Sequence, residues 1–333
     1  MYLLLGISIL LAALLSFNSL ASLVVSLLWR LLGRHARNWP AGTQASALFL
    51  LRIIPVVAGL ACLVLLIIPA YLKHEPRSTT EEVSFKLALI AFASAAGIGV
   101  AIFRGIASWR ATARLTADWL SHAQPITLPG LNIPCYRIQH QFPVIAIVGT
   151  LRPKLFIAVQ IFERLQTEEI AGAIHHEVGH LVAQDNLKRG LLRACRDVLL
   201  IIPCGRMLDR HWAEASESAA DEHAAELGRR VALDLASALV KIARMIPSGA
   251  KPAMPAGVFL VGDEPGGIRA RVSRLLQLAG AERKQGHWAL AIPRSVLWLS
   301  PISVVLIFVI FATQTSMLAT VHSLIERAVY ILN

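Results

Sequence analysis

The chain has 333 residues, of which 56% are hydrophobic and only 16% are charged, a composition too apolar for an ordinary soluble enzyme and long enough for several membrane spans and one domain. The formal net charge is +11, but the Lys and Arg residues lie beside apolar runs instead of forming a patch, so we expect a lipid bilayer as a partner and no nucleic acid. The four cysteines show no paired spacing, which indicates neither a disulfide framework nor a thiolate zinc site.

Three apolar runs in the first third of the chain predict membrane-spanning helices, at about residues 2–29, 53–72 and 87–103. The first run is long enough to cross a bilayer and no basic residues precede it, so we expect a span and not a cleaved signal peptide. The third run is short and rich in alanine and glycine, as packed membrane helices often are. Residues 1–110 are therefore predicted to be the first membrane unit.

Charged residues around these runs predict their orientation. The loop after the first run carries Arg30, Arg34 and Arg37, with Arg52 at its end, and arginine-rich loops stay in the cytoplasm. The next loop mixes basic and acidic residues, and we expect it outside. The N-terminus would then lie outside, and the domain at residues 111–290 would lie on the cytoplasmic side of an inner (cytoplasmic) cell membrane, which the chain crosses several times.

Residues 111–290 are predicted to form an α+β domain. Three β-prone runs predict a small sheet, at 135–139, 144–149 and 155–159. Helices are predicted at 111–122, from Thr167 to about Gln184, at 187–202, around Glu217, at 231–245 and at 268–279. Two stretches dense in proline and glycine are predicted to be loops, at 125–134 and 247–267.

The β-prone segment at 142–149 lies just upstream of the helix that begins near Thr167, and Pro143 near its start suits an edge strand. On that interpretation an extended polypeptide adds to the exposed edge as one more strand. A buried core strand is equally compatible with an apolar run of this length, and both interpretations remain open.

The same domain contains the sequence His-Glu-Val-Gly-His. His176 and His180 are four residues apart, so on a helix their imidazoles project from one face and can bind a single ion. Glu177 points toward the same cleft and is placed to take a proton from metal-bound water. Thr167 as N-cap, acidic residues in the first turn and an apolar stripe predict that the motif lies on a helix.

A catalytic zinc ion takes three protein ligands and keeps a fourth position for water, so one further ligand must come from elsewhere. Glu217 and Asp221 are four residues apart on an alanine-rich, helix-compatible run. We predict Glu217 as the third ligand and Asp221 as a carboxylate that orients a ligating imidazole. Spacing alone leaves rival ligands open on the same run: Glu214, Glu222, His223 and Glu226.

A last apolar run, at about residues 296–319, predicts a fourth span within the unit 291–333, and Pro301 is tolerable near its start. The C-terminus would then emerge outside the membrane with a short tail. No internal repeat or low-complexity segment interrupts the chain.

Several motifs in this order are similar to those of the membrane gluzincins. They are a Pro-Lys-Leu-Phe-Ile-Ala strand at 153–158, the His-Glu-Val-Gly-His motif, Asp185 five residues after it, Glu217-x-x-Ala-Asp221, and Arg271 in a run of arginines. Over roughly residues 142–277 the chain resembles the BlaR/MecR antirepressor peptidases and the related HtpX and CAAX-prenyl-protease group. Glu264-Pro265 stands where the latter group usually has His-Pro, which favours the BlaR/MecR side.

This resemblance, with the apolar runs, implies a mainly α integral membrane protein whose cytoplasmic α+β gluzincin-type zinc metallopeptidase domain is inserted between transmembrane helices 3 and 4 of four. It implies one Zn²⁺ per chain and a regulatory endopeptidase that cuts a polypeptide, either a cytosolic repressor or itself. An HtpX-like quality-control protease that cuts membrane proteins is one alternative. A non-catalytic zinc-binding membrane receptor or scaffold is the other.

The resemblance also implies roles for two further residues. Asp185 would be a second carboxylate that supports a ligating histidine, although a helix-end residue is the simpler interpretation. Arg271 would stabilise the transition state. The extracellular penicillin-binding domain that follows the last span in BlaR/MecR receptors has no counterpart in the short tail, so beta-lactam sensing does not carry over.

Overall fold

The structure is a computed structural model that describes residues 1–36, 38–77, 82–197, 204–246, 265–280 and 294–332. Its helices are α1 (Tyr2–Ala36), α2 (Ala41–Cys62), α3 (Ile68–His74), α4 (Phe85–Ser121), α5 (Val159–Arg164), α6 (Thr167–Ala183), α7 (Asp185–Asp197), α8 (Cys204–Ala225), α9 (Arg229–Met245), α10 (Pro265–Gly280), α11 (Arg294–Ala312) and α12 (Thr315–Leu332). Its strands are β1 (Gln124–Ile126), β2 (Cys135–Ile138), β3 (Ile145–Val148) and β4 (Lys154–Ala158). Some sequence predictions fall outside the described residues, namely those on Arg37, Glu264, 198–203, 247–264 and 281–293.

Three long helical stretches are apolar enough to cross a membrane, and they coincide with the three spans predicted in the first third of the chain. They run over Tyr2–Gly33, Ala41–His74 and Phe85–Ser121. A helix of about 20 residues is sufficient for the hydrocarbon core, whereas these contain 32, 34 and 37 residues. Each helix therefore continues beyond the apolar run that predicted it.

The second stretch begins at Ala41, well before the predicted start at residue 53. Pro40 is the N-cap, and the helix passes through Arg52 and Pro55 into a π-helical turn at Leu63–Ile67 before it continues as α3. In the sequence, the charge of Arg52 predicts the boundary between the first loop and the second span. In the structure its side chain is buried against Asp209 of α8, so the charge does not end the helix.

The last apolar run does not form one straight helix, as the prediction for 296–319 assumed. α11 ends at Ala312 and α12 leaves it at an angle of 94°. The hydroxyl of Thr313 donates to the carbonyl of Ile310 at 2.7 Å, and the N–H of Gln314 donates to Phe311 at 3.1 Å. These bonds close the last turn and leave two polar residues at the break. The pair counts as a fourth span only if both helices belong to one broken span.

Helix α12 closes the end of the bundle that is remote from the sheet. Its Leu318 packs on Leu66 and Ala70, and its Val329 joins a cluster with Leu5 at the start of α1. The carbonyl of its last residue, Leu332, accepts a hydrogen bond from Ser84 just before α4 (Oγ···O 3.0 Å). The opposite end of the bundle leads through α4 into the sheet.

The predicted small sheet is confirmed, with the strand order β1-β2-β4-β3. β2 and β4 are parallel and the two outer pairs are antiparallel. β1 lies in a stretch predicted to be a loop, because a three-residue strand around Pro125 is too short to give an alternating pattern. Buried side chains of β3 and β4, among them Ile145, Phe156 and Ile157, form the core on which α6 and α9 pack.

Candidate metal centre

Helix α6 carries the His-Glu-Val-Gly-His motif and is fixed at both ends. Its N-cap is Gln166, one residue before the predicted Thr167, because the side chain of Glu169 accepts the N–H of Gln166 at 2.8 Å in a capping box. Glu169 also accepts a hydrogen bond from Ser237 at 2.6 Å, which joins the first turn to α9. The helix ends at Gln184, close to its predicted end, and this residue has a left-handed backbone with φ of 58°.

Three side chains from α6 and α8 converge on one point. Ligand atoms of His176, His180 and Glu217 all lie within 4.8 Å of one another. The Nε2 atom of His176 is 3.5 Å from Oε2 of Glu217, and Nε2 of His180 is 3.6 Å from Oε1. Tetrahedral zinc with bonds of about 2.1 Å places its ligand atoms roughly 3.4 Å apart. The spacing and the donor set of two imidazoles and a carboxylate therefore fit a zinc ion.

The close approach of α6 and α8 depends on small residues. A Cβ atom on Gly179 would lie 3.0 Å from the Cα atom of Ala220, so close that α8 would have to move by a few tenths of an ångström. Because Gly179 has no side chain, α8 lies directly against the turn that separates His176 from His180, and Glu217 reaches both imidazoles.

Each histidine is oriented by its own carboxylate. Oδ1 of Asp221 lies 2.9 Å from Nδ1 of His176, and Oδ2 of Asp185 lies 2.8 Å from Nδ1 of His180. Ser216 donates to the same Oδ2 atom at 2.6 Å. With Nδ1 engaged in this way, Nε2 of both rings is directed at the shared point, an arrangement typical of histidines that bind metals.

In this cluster, neighbouring charges and hydrogen bonds outweigh the effect of burial on the pKa values. Burial alone would lower the pKa of His180, but Glu217 and Asp185 raise it to about 10. Burial would raise the pKa of Glu217, yet the neighbouring His180, His176 and Arg271 bring it well below its usual range. For Asp185 and Asp221 too, hydrogen bonds and opposite charges outweigh burial and lower the pKa. The carboxylates are therefore ionised at neutral pH and offer negative charge to a cation.

Glu177 is buried next to the three converging side chains, but its carboxylate is not part of the ligand group. Its Oε2 atom accepts the main-chain N–H of Ile147 at 3.1 Å, so the carboxylate faces strand β3. A carboxylate beside the ligands but not among them matches the predicted position of a general base.

Of the two interpretations that the sequence left open, β3 is the edge strand of the sheet, but its side chains are buried and its edge is occupied at Ile147. All residues of β3 are buried, and the carbonyl of Ile147 accepts a hydrogen bond from Nδ2 of Asn186 at 2.9 Å. The same amide group lies 3.2 Å from the carbonyl of Gly149. Asn186 was not identified from the sequence; its only signal is its place beside Asp185 at the start of α7.

Arg271 from α10 lies over the acidic side of the cluster. Its guanidinium binds both carboxylate oxygens of Asp221, at 2.7 and 2.9 Å, and Oε2 of Glu217 at 3.1 Å. The Nη2 atom is also 3.3 Å from Nδ1 of His176. In this position Arg271 neutralises the carboxylates of α8, and the transition-state role that the resemblance implies stays a prediction.

The rival ligands lie elsewhere. Among the described residues, Glu217 is the carboxylate that joins the two histidines. Glu214 pairs with Arg210 on the exposed face of α8, and Glu222 accepts the N–H of Ala41. The metal-ligand cluster of the described residues also leaves out His223 and Glu226.

Comparisons with protein-family models, with curated proteins and with solved structures gave no match for this chain.

Proposed function

We propose that the protein is a membrane-embedded, zinc-dependent endopeptidase. The observation that supports this most directly is the convergence of His176, His180 and Glu217 on one point, with the carboxylate of Glu177 beside it and outside the ligand set. Three protein ligands leave one coordination position for water or substrate, as catalytic zinc sites do. A purely structural site has no use for an acid–base group next to an open position, which argues against the receptor or scaffold alternative.

In the proposed peptide hydrolysis, the zinc ion and the side chains of the protein have separate parts. When bound, zinc supplies a Lewis acid for the scissile carbonyl and lowers the pKa of water. Glu177 takes a proton from the attacking water at its carboxylate and passes it to the leaving amine. Asp185 and Asp221 keep the two imidazoles in the tautomer that directs Nε2 at the ion.

The substrate in this proposal is a polypeptide bound along β3. The N–H of Ala158 donates to the carbonyl of Val144 at 2.8 Å, so by alternation the main-chain groups of Ile145 and Ile147 face away from β4. The edge beside Glu177 is therefore the side on which an extended chain would lie, and at Ile147 it must compete with Glu177 for the N–H and with Asn186 for the carbonyl.

The orientation in the membrane is also part of the proposal. The end of the bundle that carries the sheet bears Arg30, Arg52 and Arg104, and the opposite loop mixes charges. The positive residues favour a cytoplasmic position for the metal centre, in an inner (cytoplasmic) cell membrane. With α11 and α12 taken as one broken span, both termini lie outside.

The proposal is tested by metal analysis together with a comparison of cleavage products. The purified chain should contain about one zinc ion, by the three-ligand site; Glu217→Ala should lose it, and Glu177→Gln should retain it. Membranes with the wild-type protein should yield new peptide termini that Glu177→Gln membranes do not. Identical termini in both would contradict catalysis, and full zinc occupancy in Glu217→Ala would contradict the ligand set.

The same experiment separates the two protease roles. Under a regulatory role, resembling BlaR/MecR, the products come from one soluble repressor or from the protein itself. Under a quality-control role, resembling HtpX, they come from many membrane proteins. We favour the regulatory role on the motif resemblance.

A further inference from the structure

Helix α8, which carries Glu217 and Asp221, packs lengthwise on the membrane helix α2. Near the start of α8, Oδ1 of Asp209 lies 3.1 Å from Nε of Arg52, whose side chain is only 3% exposed. The contact is tight, because a Cβ atom on Gly205 would lie 2.8 Å from the guanidinium. We call this ion pair between Arg52 and Asp209 the first tether. Separating α2 from α8 would leave a buried charge without its partner, so the pair strongly opposes that separation.

A second tether joins the two helices farther along α8. The main-chain N–H of Ala41, the first residue of α2, donates to Oε2 of Glu222 at 3.0 Å. A carboxylate is favoured there because the first N–H groups of a helix lack partners within it. Glu222 also pairs with Arg274 of α10, the helix that supplies Arg271 to the metal centre.

The two tethers lie on either side of the proposed third ligand. Asp209 is about two helical turns before Glu217 and Glu222 about one and a half turns after it. Between them, Trp212 and Ala215 of α8 pack in one buried cluster with Phe49 of α2. By contrast, the two histidines belong to α6, which rests on the sheet core and α9. Glu217 is therefore carried by a helix that packs on α2 as well as on α6, whereas the histidines are carried by a helix that packs on the sheet core.

The region where α2 meets α6 and α8 is not fully packed. A cavity of about 310 Å³ lies between the start of α2, the end of α6 and α8, and Thr43, Asp185 and Glu222 are among its lining residues. Part of the region where α2 meets α6 and α8 is therefore open, although α8 is in direct contact with α6 at Gly179.

We infer that α2 positions Glu217 through Arg52 and Glu222, so that the state of the membrane bundle sets the affinity of the metal centre. This inference rests on the proposed metal site. Arg52 and Asp209 are positioning residues, because they touch neither metal nor substrate. A change of bilayer thickness, or a partner that displaces α2 along its axis, would move Glu217 relative to His176 and His180 and weaken metal binding.

The test measures zinc affinity of the full-length chain in lipid nanodiscs by competition with a chelating fluorophore. Removing a group that hydrogen-bonds a metal ligand costs roughly 10- to 100-fold in affinity, and Arg52 and Asp209 act on Glu217 only through α8, so their removal should cost about the lower limit of that range. We expect a loss of this size for Arg52→Met, for Asp209→Asn and for the double variant, with a double-variant loss smaller than the product of the two. Phe49→Leu is the matched control, since it perturbs the same helix interface without touching a tether; it should lower the unfolding temperature and leave zinc affinity unchanged.

A second measurement tests the inference even if the Arg52 and Asp209 variants fail to fold. Wild-type zinc affinity should differ between nanodiscs of short-chain and long-chain lipids, and Glu222→Gln, which loses the charge and keeps the shape, should reduce that difference. The inference is overturned if folded Arg52→Met binds zinc as tightly as wild type, or if wild-type affinity is independent of lipid length. No zinc binding in the wild type, or wild-type zinc binding in His176→Ala, would instead contradict the proposed metal site itself.

Discussion

The carboxylate of Glu177 and the main chain of Ile147 are joined by a hydrogen bond of 3.1 Å, which couples the proposed base on α6 to the edge strand β3. The bond fixes one oxygen of the carboxylate, and the other is the atom to which the proposed function assigns proton transfer. Strand and base therefore move together, and a change in the main chain at one position should alter catalysis at the other.

Replacing Ile147 by proline removes the N–H that Glu177 accepts. A hydrogen bond to a charged group contributes about 1.5–3 kcal/mol, so we expect peptide hydrolysis to fall roughly 10- to 100-fold while zinc content stays at the wild-type level. Product formation and metal analysis on one preparation check this. Ile147→Val, which keeps the N–H, is the control and should remain active. Normal cleavage by the proline variant would show that the bond does not position the base.

Asn186 is predicted to hold the same open edge of the strand, through its main-chain carbonyl groups. Asn186→Ala loses the hydrogen bonds to the carbonyls of Ile147 and Gly149 and leaves partly buried acceptors without a donor, which costs about 1–3 kcal/mol of unfolding free energy. Chemical denaturation should show this loss with little change in zinc affinity. Gln44→Ala, which removes an exposed amide bond to the carbonyl of Trp39, should change stability far less. Equal effects of the two variants would contradict the role of Asn186.

What the sequence could predict depended on local geometry. The four-residue spacing of His176 and His180, and that of Glu217 and Asp221, follows from one helical turn, and the structure brings both pairs together. The alanine-rich run around Glu217 also predicted the helix that the structure shows as α8. These inferences needed nothing beyond the period of the α-helix.

What it could not predict depended on partners far away in the chain. Arg52 and Asp209 are separated by 157 positions, so a charge inside an apolar helix was taken as a span boundary. Asn186 is 39 positions from Ile147, and no local pattern marks their contact. The helix break after Ala312 was missed because its two polar residues interrupt hydropathy too briefly.

Zinc uptake is predicted to release protons. Burial alone would lower the pKa of His180, but Glu217 and Asp185 raise it to about 10 in the metal-free protein, so this ring is protonated at neutral pH and must lose a proton to bind zinc. Apparent zinc affinity should therefore rise with pH up to about 10. Calorimetry in buffers of different ionisation enthalpy measures the protons released. Asp185→Asn should release fewer; uptake without any proton release at pH 8 would contradict the prediction.

The same shift affects the stability of the metal-free chain. Because the folded pKa of His180 lies above its ordinary value of 6.5, its stabilising contribution is complete below pH 6.5 and is lost as the pH rises through about 10. Unfolding of the chelator-treated protein between pH 6 and 10 should show a decline that Asp185→Asn reduces. In zinc-loaded protein the ring is neutral, and the decline from this group should disappear.

Adding one methyl group between α6 and α8 should separate the ligands. In Gly179→Ala the new Cβ would lie 3.0 Å from Cα of Ala220, so α8 must shift and carry Glu217 away from the two histidines. We expect zinc affinity to fall by at least tenfold, since the weakened contact is a metal bond itself and a supporting group alone is worth that much. Gly190→Ala is the matched control on α7, because nothing lies within 4 Å of its Cβ position. That substitution should leave zinc binding intact and stabilise the chain by up to about 1 kcal/mol through helix propensity. If both variants bind zinc equally well, α8 does not need its close approach to α6 to deliver the third ligand.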